Sequence, residues 1–412
     1  MRLMARIGRN FGDVKLWGRN AKVLVITETL WGIPMSWLFF YQAIFMRSLG
    51  MSDVFIGFTA MLPFVFQIFL PMLGGYLADK FGRKRILMLF DSVGWTGALL
   101  IWFMAREPWQ IIAAMIFQGL STAIYGVWET LLVEDTELAY RVSIYSFVQI
   151  IYVFGGILTP VAGALVSLYG VEQGCRYMFF ITLMTVTTTL VIRQICLRES
   201  KIGRMLLSSE GDSLLGSEGY GGTLRTVTKH KKLLTLFALT IIGSIEYPLV
   251  NTFKPLYLVD PNALALDESI VSIIPMVSSI PSLVALSFLV PRLKYERMKK
   301  ALTFSYACGF FGLTTLILAP KGSMILATFS AVLDSARFIA TFSILRVFFA
   351  NMIDEVNPFA RAKVMSLIVT FSALVSWPVP LVGGYLYEAS PILPFVLGAI
   401  FLVLSVCLTL KT

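Results

Sequence analysis

Five ionisable side chains lie inside long apolar stretches of the chain, where the neighbouring residues cannot solvate them: Glu28, Glu129, Glu246, Asp334 and Arg337. A charge at the centre of a membrane helix costs roughly 3 kcal/mol on insertion scales, so each of these residues needs a partner or a function. A carboxylate in a low dielectric favours its protonated form, whereas an approaching cation favours its charged form. The residue types therefore predict sites at which a proton and a cationic compound compete.

Two of the carboxylates have aromatic or polar neighbours at helical spacing. Trp31 follows Glu28 by three residues, and Gln118 and Tyr125 precede Glu129 on the same helical face. An acid among aromatic rings suits a lipophilic cation, through charge pairing and cation–π contact. Alternatively, these aromatic side chains belong to the interface belts that are common in membrane proteins.

The second group of charges admits two interpretations. Asp334 and Arg337 are three residues apart and can neutralise one another on a single helix, which is a structural role. Alternatively, Arg337 pairs with Glu246 in one state of the protein only. Lys254 and Arg346 lie near the ends of their apolar stretches, and we expect their side chains to snorkel towards water.

The elements that position these residues are predicted to be membrane helices. The chain is 57% hydrophobic and 14% charged, with a mean hydropathy of +0.79, and a soluble core cannot absorb that much apolar sequence. Its apolar runs suit helices of about 20 residues crossing a bilayer of about 30 Å. We therefore predict an all-α membrane protein with twelve transmembrane helices, near 22–46, 53–78, 86–104, 109–133, 142–169, 175–197, 232–258, 268–290, 300–319, 322–350, 362–387 and 391–410.

The basic residues predict the orientation of these helices. Of the 34 Lys and Arg residues, 27 fall in segments on one side of the predicted membrane and five on the other. Cytoplasmic loops hold the excess of Lys and Arg, so both termini are predicted to be cytoplasmic. The net charge of +10 reflects this bias rather than a nucleic-acid-binding face. No cleaved signal peptide is indicated in residues 1–20.

The chain also divides into equal halves. A stretch rich in Gly, Ser and charge, at 198–231, is predicted to be a flexible cytoplasmic linker between six-helix bundles at 1–197 and 232–412. Its glycines follow no strand and precede no GKS or GKT, so they do not form a phosphate-binding loop. The four cysteines stand apart and there is one histidine, which predicts neither a disulfide framework nor a metal or cofactor site.

A motif in the second inner loop carries the most specific signal. Its fixed positions are Gly75, Asp79, Gly82, Arg83 and Lys84. We expect the first glycine to allow close helix packing, the second to form the turn, and the aspartate to face a cation or a helix N terminus. The motif resembles the GxLaDrxGrkxxl signature of the major facilitator superfamily. That resemblance implies that Asp79 and Arg83 act as a conformational latch and do not bind substrate.

A second motif resembles an element of that family's antiporters. Gly155, Pro160 and Gly163 match its GxxxGPxxGG pattern, while Thr159 and Ala164 depart from it. Small residues and proline also serve packing and bending alone in membrane helices, which is the alternative. In span four, Met115 stands where the proton-coupled drug exporters of the family carry an arginine. Any proton coupling must therefore use other residues.

The resemblance implies a secondary transporter in the cell membrane, working as a monomer by alternating access. In that fold the helices that carry Glu28, Glu129, Glu246 and Asp334 line a central cavity. The expected function is proton-coupled efflux of small amphipathic or cationic compounds. The alternative is a symporter that imports a sugar, amino acid or carboxylate. A membrane enzyme is disfavoured because no catalytic cluster is found, and a non-transporting scaffold of the same fold stays open.

Overall fold

The computed structural model describes residues 14–200, 203–204, 230–345, 347–349, 352 and 361–411. These residues form helices joined by short connections, and no strand occurs among them. The all-helical class is therefore confirmed for the described part of the chain. Arg346 and most of the predicted linker at 198–231 lie outside the described residues.

The first half of the chain contains six long helices: α1 (Arg19–Ser48), α2 (Asp53–Phe81), α3 (Arg83–Met104), α4 (Pro108–Val133), α5 (Leu138–Ile157) and α6 (Thr159–Cys196). Pro108 occupies the first turn of α4, where its missing N–H costs nothing. Within α3 the residues Ser92–Gly97 form a π-helical turn. Gly170 interrupts α6 with a φ of 75°, which favours glycine.

Seven helices of 11 or more residues lie in the described part of the second half: α7 (Lys231–Val259), α8 (Ile270–Leu289), α9 (Tyr295–Leu318), α10 (Met324–Ile339), α11 (Arg361–Ser376), α12 (Val379–Ala389) and α13 (Leu393–Lys411). A π-helical turn, Ala340–Ile344, directly follows α10. Asp267 accepts hydrogen bonds from the side chain and backbone of Ser269 before α8. The hydroxyl of Ser269 is the main reason that the pKa of Asp267 lies below its usual value.

Ten helical segments in the described residues are long and apolar enough to cross a membrane. One of them, Ser143–Cys196, is 54 residues long and contains the break at Gly170. It covers two of the spans predicted from the sequence. Helix α10 has only 16 residues and is not among the ten, although a predicted span covers it. The multi-pass character is confirmed, whereas the number twelve stays a prediction.

The chain divides into two compact units, each built from separated segments. Unit 1 comprises Met1–Phe39, Val65–Gly155 and Cys175–Leu215, and unit 2 comprises Phe40–Phe64, Gly156–Gly174 and Gly216–Thr412. The apolar core of unit 1 joins α1, α3, α4 and α5; among its buried members are Leu24, Leu87, Leu131 and Ile144.

Unit 2 is held together by close backbone contacts and an ion-pair network. A methyl group at Gly57 of α2 would lie 2.3 Å from the carbonyl oxygen of Pro380 in α12, so only glycine fits there. Arg47 joins Asp53, at an Nη2–Oδ1 distance of 2.5 Å, to Asp260, at an Nη1–Oδ2 distance of 2.8 Å. These contacts bind the ends of α1 and α2 to α7 and α12.

Candidate functional site

Unit 1 contains a buried cluster of charged side chains around Arg193, near the end of α6. Its Nη2 lies 2.9 Å from Oε2 of Glu28, its Nη1 lies 3.0 Å from Oδ2 of Asp91, and its Nε donates to the hydroxyl of Thr27 at 3.0 Å. Tyr152 of α5 donates its hydroxyl to Oε1 of Glu28 at 2.7 Å. Side chains of α1 and α3 thus meet the guanidinium of α6, and Tyr152 of α5 joins the cluster through Glu28.

The charges of this cluster do not balance. Two carboxylates share one guanidinium, and all three side chains are buried, with 3–7% of their surface exposed. A buried ion pair tolerates its loss of hydration only when the charges are matched and hydrogen-bonded. The cluster therefore favours a further positive charge, either a proton or a cationic ligand close by.

Aromatic rings adjoin the cluster on the side of α1 and α3. The ring of Trp31 lies 5.1 Å from that of Trp95 and 6.2 Å from that of Tyr152, in edge-to-face arrangements. Phe39 packs on Trp95 at 6.3 Å and is half exposed, and Tyr125 of α4 is also half exposed. The cluster is thus bordered by ring faces that an amphipathic cation could contact.

Unit 2 contains a second cluster, centred on Arg337 of α10. Arg337 Nε lies 2.5 Å from Oδ1 of Asp334, and its Nη1 lies 2.7 Å from Oε2 of Glu246 on α7. Lys254 Nζ lies 2.6 Å from Oδ2 of Asp334, and the guanidinium also lies over the ring of Tyr247. Both partners considered for Arg337 are engaged at once. Two bases thus face two acids.

The expectation for Lys254 was wrong. Its side chain does not reach towards water, because Asp334 on the neighbouring helix provides a closer partner for the ammonium group. One oxygen of the second cluster, Glu246 Oε1, is buried with no hydrogen-bond partner among the described residues. The second cluster is nevertheless balanced in charge, unlike the first.

The polar residues that the sequence indicated on α4 are not part of either cluster. Glu129 is exposed and forms no ion pair within the described residues. Gln118 is half-buried, and Tyr125 presents about half of its surface. The sequence pattern correctly placed these residues on one helix, but Glu129 has no ionic partner among the described residues.

Two residues of the first cluster were missed by the sequence analysis. Arg193 was counted among the basic residues on the predicted cytoplasmic side, because it lies three residues before the end of α6 and Arg198 follows soon after. Asp91 was given no role. The signal that could have identified Asp91 is its charge within the apolar stretch of α3. Like Glu28 in α1, a carboxylate in such a stretch needs a counter-ion.

The inner-loop motif forms a separate ionic joint at the start of α3. Arg83 is paired tightly with Glu134 at the end of α4 and donates to the hydroxyl of Ser200 at 3.3 Å. Asp79 lies 3.7 Å from Arg83 and is more than half exposed, so it contributes little to this joint. The motif indicates the arginine of this joint, whereas its principal partner, Glu134, lies outside the motif.

The first turn of α3 is capped by α6 and the residues that follow it. The backbone N–H of Lys84 donates to Oε2 of Glu199 at 3.0 Å, and its ammonium group donates to the carbonyl oxygen of Gln194 at 2.7 Å. A carboxylate at a helix N terminus is favourable because the free N–H groups there carry partial positive charge. Gly82 precedes this turn with a φ of 98°, and its expected role in the turn is confirmed.

The glycine expected to allow close helix packing is the wrong one of a pair. A methyl group at Gly75 would meet nothing within 4 Å among the described residues. At Gly74 it would lie 1.9 Å from the carbonyl oxygen of Ala123 in α4. Gly74 therefore permits the close approach of α2 and α4.

The antiporter-like residues pack at helix contacts. A methyl group at Gly155 would lie 2.4 Å from the hydroxyl of Ser36, and at Gly163 it would lie 2.3 Å from the carbonyl oxygen of Ser269. Pro160 is the second residue of α6, where proline does not disturb the helix. These contacts account for the small residues by packing and leave a role in antiport untested.

A family model and several curated proteins match this chain in sequence. The family model described as Major Facilitator Superfamily matches residues 23–377. Multidrug resistance protein MdtG of Escherichia coli O9:H4 is 24% identical over 67% of this chain and 66% of its own length. A Na(+), Li(+), K(+)/H(+) antiporter of Planococcus maritimus is 24% identical over 60% of this chain and 59% of its own. The matched region thus spans less than two thirds of either relative.

Solved structures match nearly the whole chain in fold. The nucleoside transporter NupG aligns with a TM-score of 0.69 and 15% identity, covering 95% of this chain and 97% of that one. The xylose transporter XylE of E. coli aligns with a TM-score of 0.66 and 14% identity, covering 95% and 97%. At these identities the likeness concerns the fold alone.

Proposed function

Because the chain belongs to the Major Facilitator Superfamily, we propose that this multi-pass membrane protein is a secondary transporter that exports small amphipathic or cationic compounds in exchange for protons. The observation that carries the proposal is the first cluster, in which Glu28 and Asp91 share the single cation Arg193 beside Trp31 and Trp95. Proteins of this family are in general transporters and not enzymes.

The class of compound is argued from charge and surface. The excess carboxylate makes the neighbourhood of the first cluster attractive to positive charge, and the low dielectric strengthens that attraction. The half-exposed rings of Phe39 and Tyr125 offer apolar area and π faces. A compound that is both cationic and apolar gains from both features, whereas an anion gains from neither.

The named relatives support the same class. One is a multidrug resistance protein and another exchanges monovalent cations for protons. The second is an antiporter that couples its transport to protons by name. In our proposal the proton is likewise the exchanged ion, and it replaces the cationic compound on the carboxylates.

Import of a small metabolite by symport is the alternative. It would be favoured if Arg337, Lys254 and Asn251 presented unpaired donors to an anion or a sugar. In unit 2, however, Arg337 and Lys254 are paired with carboxylates, and the amide of Asn251 donates to the carbonyl oxygen of Tyr247 on its own helix. This pairing leaves few free donors for an anion or a sugar and supports a cationic substrate in our proposal.

The proposal includes twelve membrane crossings in two six-helix halves, with both termini in the cytoplasm and the segment 198–231 as a linker. A straight helix of 54 residues would be about 80 Å long, far more than a bilayer of about 30 Å, so Ser143–Cys196 must supply two crossings. Helix α10 and the π-helical turn after it would supply another.

The test is transport by purified protein in liposomes that contain a pH-sensitive dye. We expect tetraphenylphosphonium or ethidium, added on the substrate side, to drive proton movement in the opposite direction. We also expect Trp31→Ala to raise the cation concentration needed for half-maximal rate at least several-fold. Trp109→Ala, which changes an exposed ring at the start of α4, is the matched control.

Two outcomes would contradict the proposal. The first is proton movement driven by sugars, amino acids or carboxylates but not by lipophilic cations, which would establish the symporter. The second is the absence of proton movement with every solute in liposomes whose protein is folded, as judged by its thermal unfolding.

A further inference from the structure

We infer that Asp91 carries the exchangeable proton of the first cluster, while Glu28 stays ionised against Arg193. The inference rests on the proposed function, since it names the residue that binds the proton in the exchange. Its basis is the charge balance of the first cluster, the hydrogen bonds of its two carboxylates and the position of Asp91 in α3.

The charge count requires one proton or one cation in this cluster. In unit 2 two carboxylates face two bases, so that cluster is neutral with all four groups ionised. In unit 1 Glu28 and Asp91 face only Arg193. Full ionisation would leave one uncompensated negative charge among buried side chains, where the loss of hydration makes it unfavourable. Binding one proton removes that charge.

The hydrogen bonds decide which carboxylate takes the proton. Both oxygens of Glu28 already accept hydrogen bonds, Oε1 from Tyr152 and Oε2 from Arg193. A proton on either oxygen would displace a donor. Among the described residues, the one donor to Asp91 is Arg193, through Oδ2. A proton on its other oxygen, Oδ1, keeps every hydrogen bond of the cluster.

Among the described residues, no base other than Arg193 faces Glu28. Arg193 faces it from α6, Tyr152 from α5 and Asp91 from α3, and Tyr125 of α4 lies near Tyr152. The phenols are neutral donors. In the part of the chain that the structure describes, the charged groups that face this carboxylate are therefore Arg193 and Asp91, and one proton is divided between the two acids.

Asp91 also lies where α3 can respond to a change in charge. It directly precedes the π-helical turn Ser92–Gly97, and such turns are often found at functional sites. Trp95 belongs to this turn, and its ring packs against the ring of Trp31. When the O–H bond of Asp91 breaks and its proton passes to water, the new carboxylate competes with Glu28 for Arg193. A movement of Asp91 would displace the adjoining turn and, with it, the ring of Trp95.

The experiment is isotope-edited infrared spectroscopy of the unaltered protein in lipid, without substrate, across a pH titration. We expect the carbonyl band of a protonated carboxylic acid to disappear as the pH is raised. The band should move when aspartate carboxyl groups carry 13C and stay in place when glutamate is labelled. A band that moves only with labelled glutamate would overturn the assignment, since it would place the proton on Glu28 or Glu246.

A variant ties the band to one residue. We expect Asp91→Asn, which retains an oxygen acceptor for Arg193, to abolish the aspartate band. Glu388→Gln, at an exposed position near the end of α12, should leave it unchanged. An aspartate band that persists in Asp91→Asn would also overturn the inference. If Asp91→Asn does not fold, the labelling of the unaltered protein still decides between aspartate and glutamate.

Transport assays separate this inference from the proposed function. We expect Asp91→Asn to exchange labelled for unlabelled cation across the membrane but to lose cation-driven proton movement at least tenfold. If the unaltered protein shows the Asp91 band but moves no cation, the proposed function fails and the proton site stands. If it exchanges cations for protons and shows no aspartate band, only the inference fails.

Discussion

Single residues of the site were recognisable from the sequence wherever a charge stood in the middle of an apolar run. Glu28, Glu246, Asp334 and Arg337 were found in this way, and all four lie in buried ionic clusters. Their partners were harder to find because pairing joins residues far apart in the chain. Arg193 is 165 residues from Glu28, and its position near a helix end resembled that of an ordinary cytoplasmic base.

At the residue scale we predict that Arg193→Ala severely destabilises the protein. Removal of the guanidinium leaves two buried carboxylates and the Thr27 hydroxyl without their shared donor. Breaking a buried pair in this way costs about 3–5 kcal/mol. The measurement is thermal unfolding in detergent, with Arg198→Ala as the control because Arg198 is exposed. Equal unfolding temperatures for the two variants would contradict the structural role of Arg193.

At the scale of elements, the apolar runs predicted where helices occur, but not how each helix is rotated. Successive residues of an α-helix point about 100° apart, so two adjacent glycines cannot both face the same neighbour. The motif therefore indicated a small residue at the contact of α2 and could not decide between Gly74 and Gly75. The structure places Gly74 against Ala123. The π-helical turns in α3 and after α10 were likewise absent from the predictions.

This rotation gives a prediction on neighbouring positions. We expect Gly74→Ala to lower the unfolding free energy by about 1–3 kcal/mol, because the added methyl group forces α2 and α4 apart. Gly75→Ala should be neutral, or stabilising by up to about 1 kcal/mol through helix propensity. Unfolding of the two variants in the same detergent checks this. The reverse order of stability would show that α2 is rotated differently.

At the scale of the whole molecule, composition was sufficient to predict a multi-pass helical protein. The hydropathy requires a membrane, and the family match and the helical fold agree with that. The predicted sidedness rests on the distribution of Lys and Arg. The position of Arg193 inside α6 removes one base from the cytoplasmic count but leaves the bias intact.

We predict the sidedness of two loops by cysteine labelling. In a background from which Cys175, Cys196, Cys308 and Cys407 have been removed, Glu268→Cys should react with a membrane-impermeant maleimide on intact cells. Lys300→Cys should react only after the membrane is permeabilised. Both positions are exposed, so access to the reagent depends on the membrane. Labelling of Lys300→Cys on intact cells would reverse the orientation.

The distance along the chain between Arg193 and its partners has a consequence for how the protein is made. Glu28 and Asp91 precede Arg193 by 165 and 102 residues. At a synthesis rate of about 5–20 residues per second, Glu28 leaves the ribosome roughly ten to thirty seconds before its counter-ion. During that interval α1 and α3 must enter the bilayer with neutral acids or stay at a watery interface. The insertion of α1 and α3 is therefore complete only when α6 has been synthesised and has inserted with Arg193.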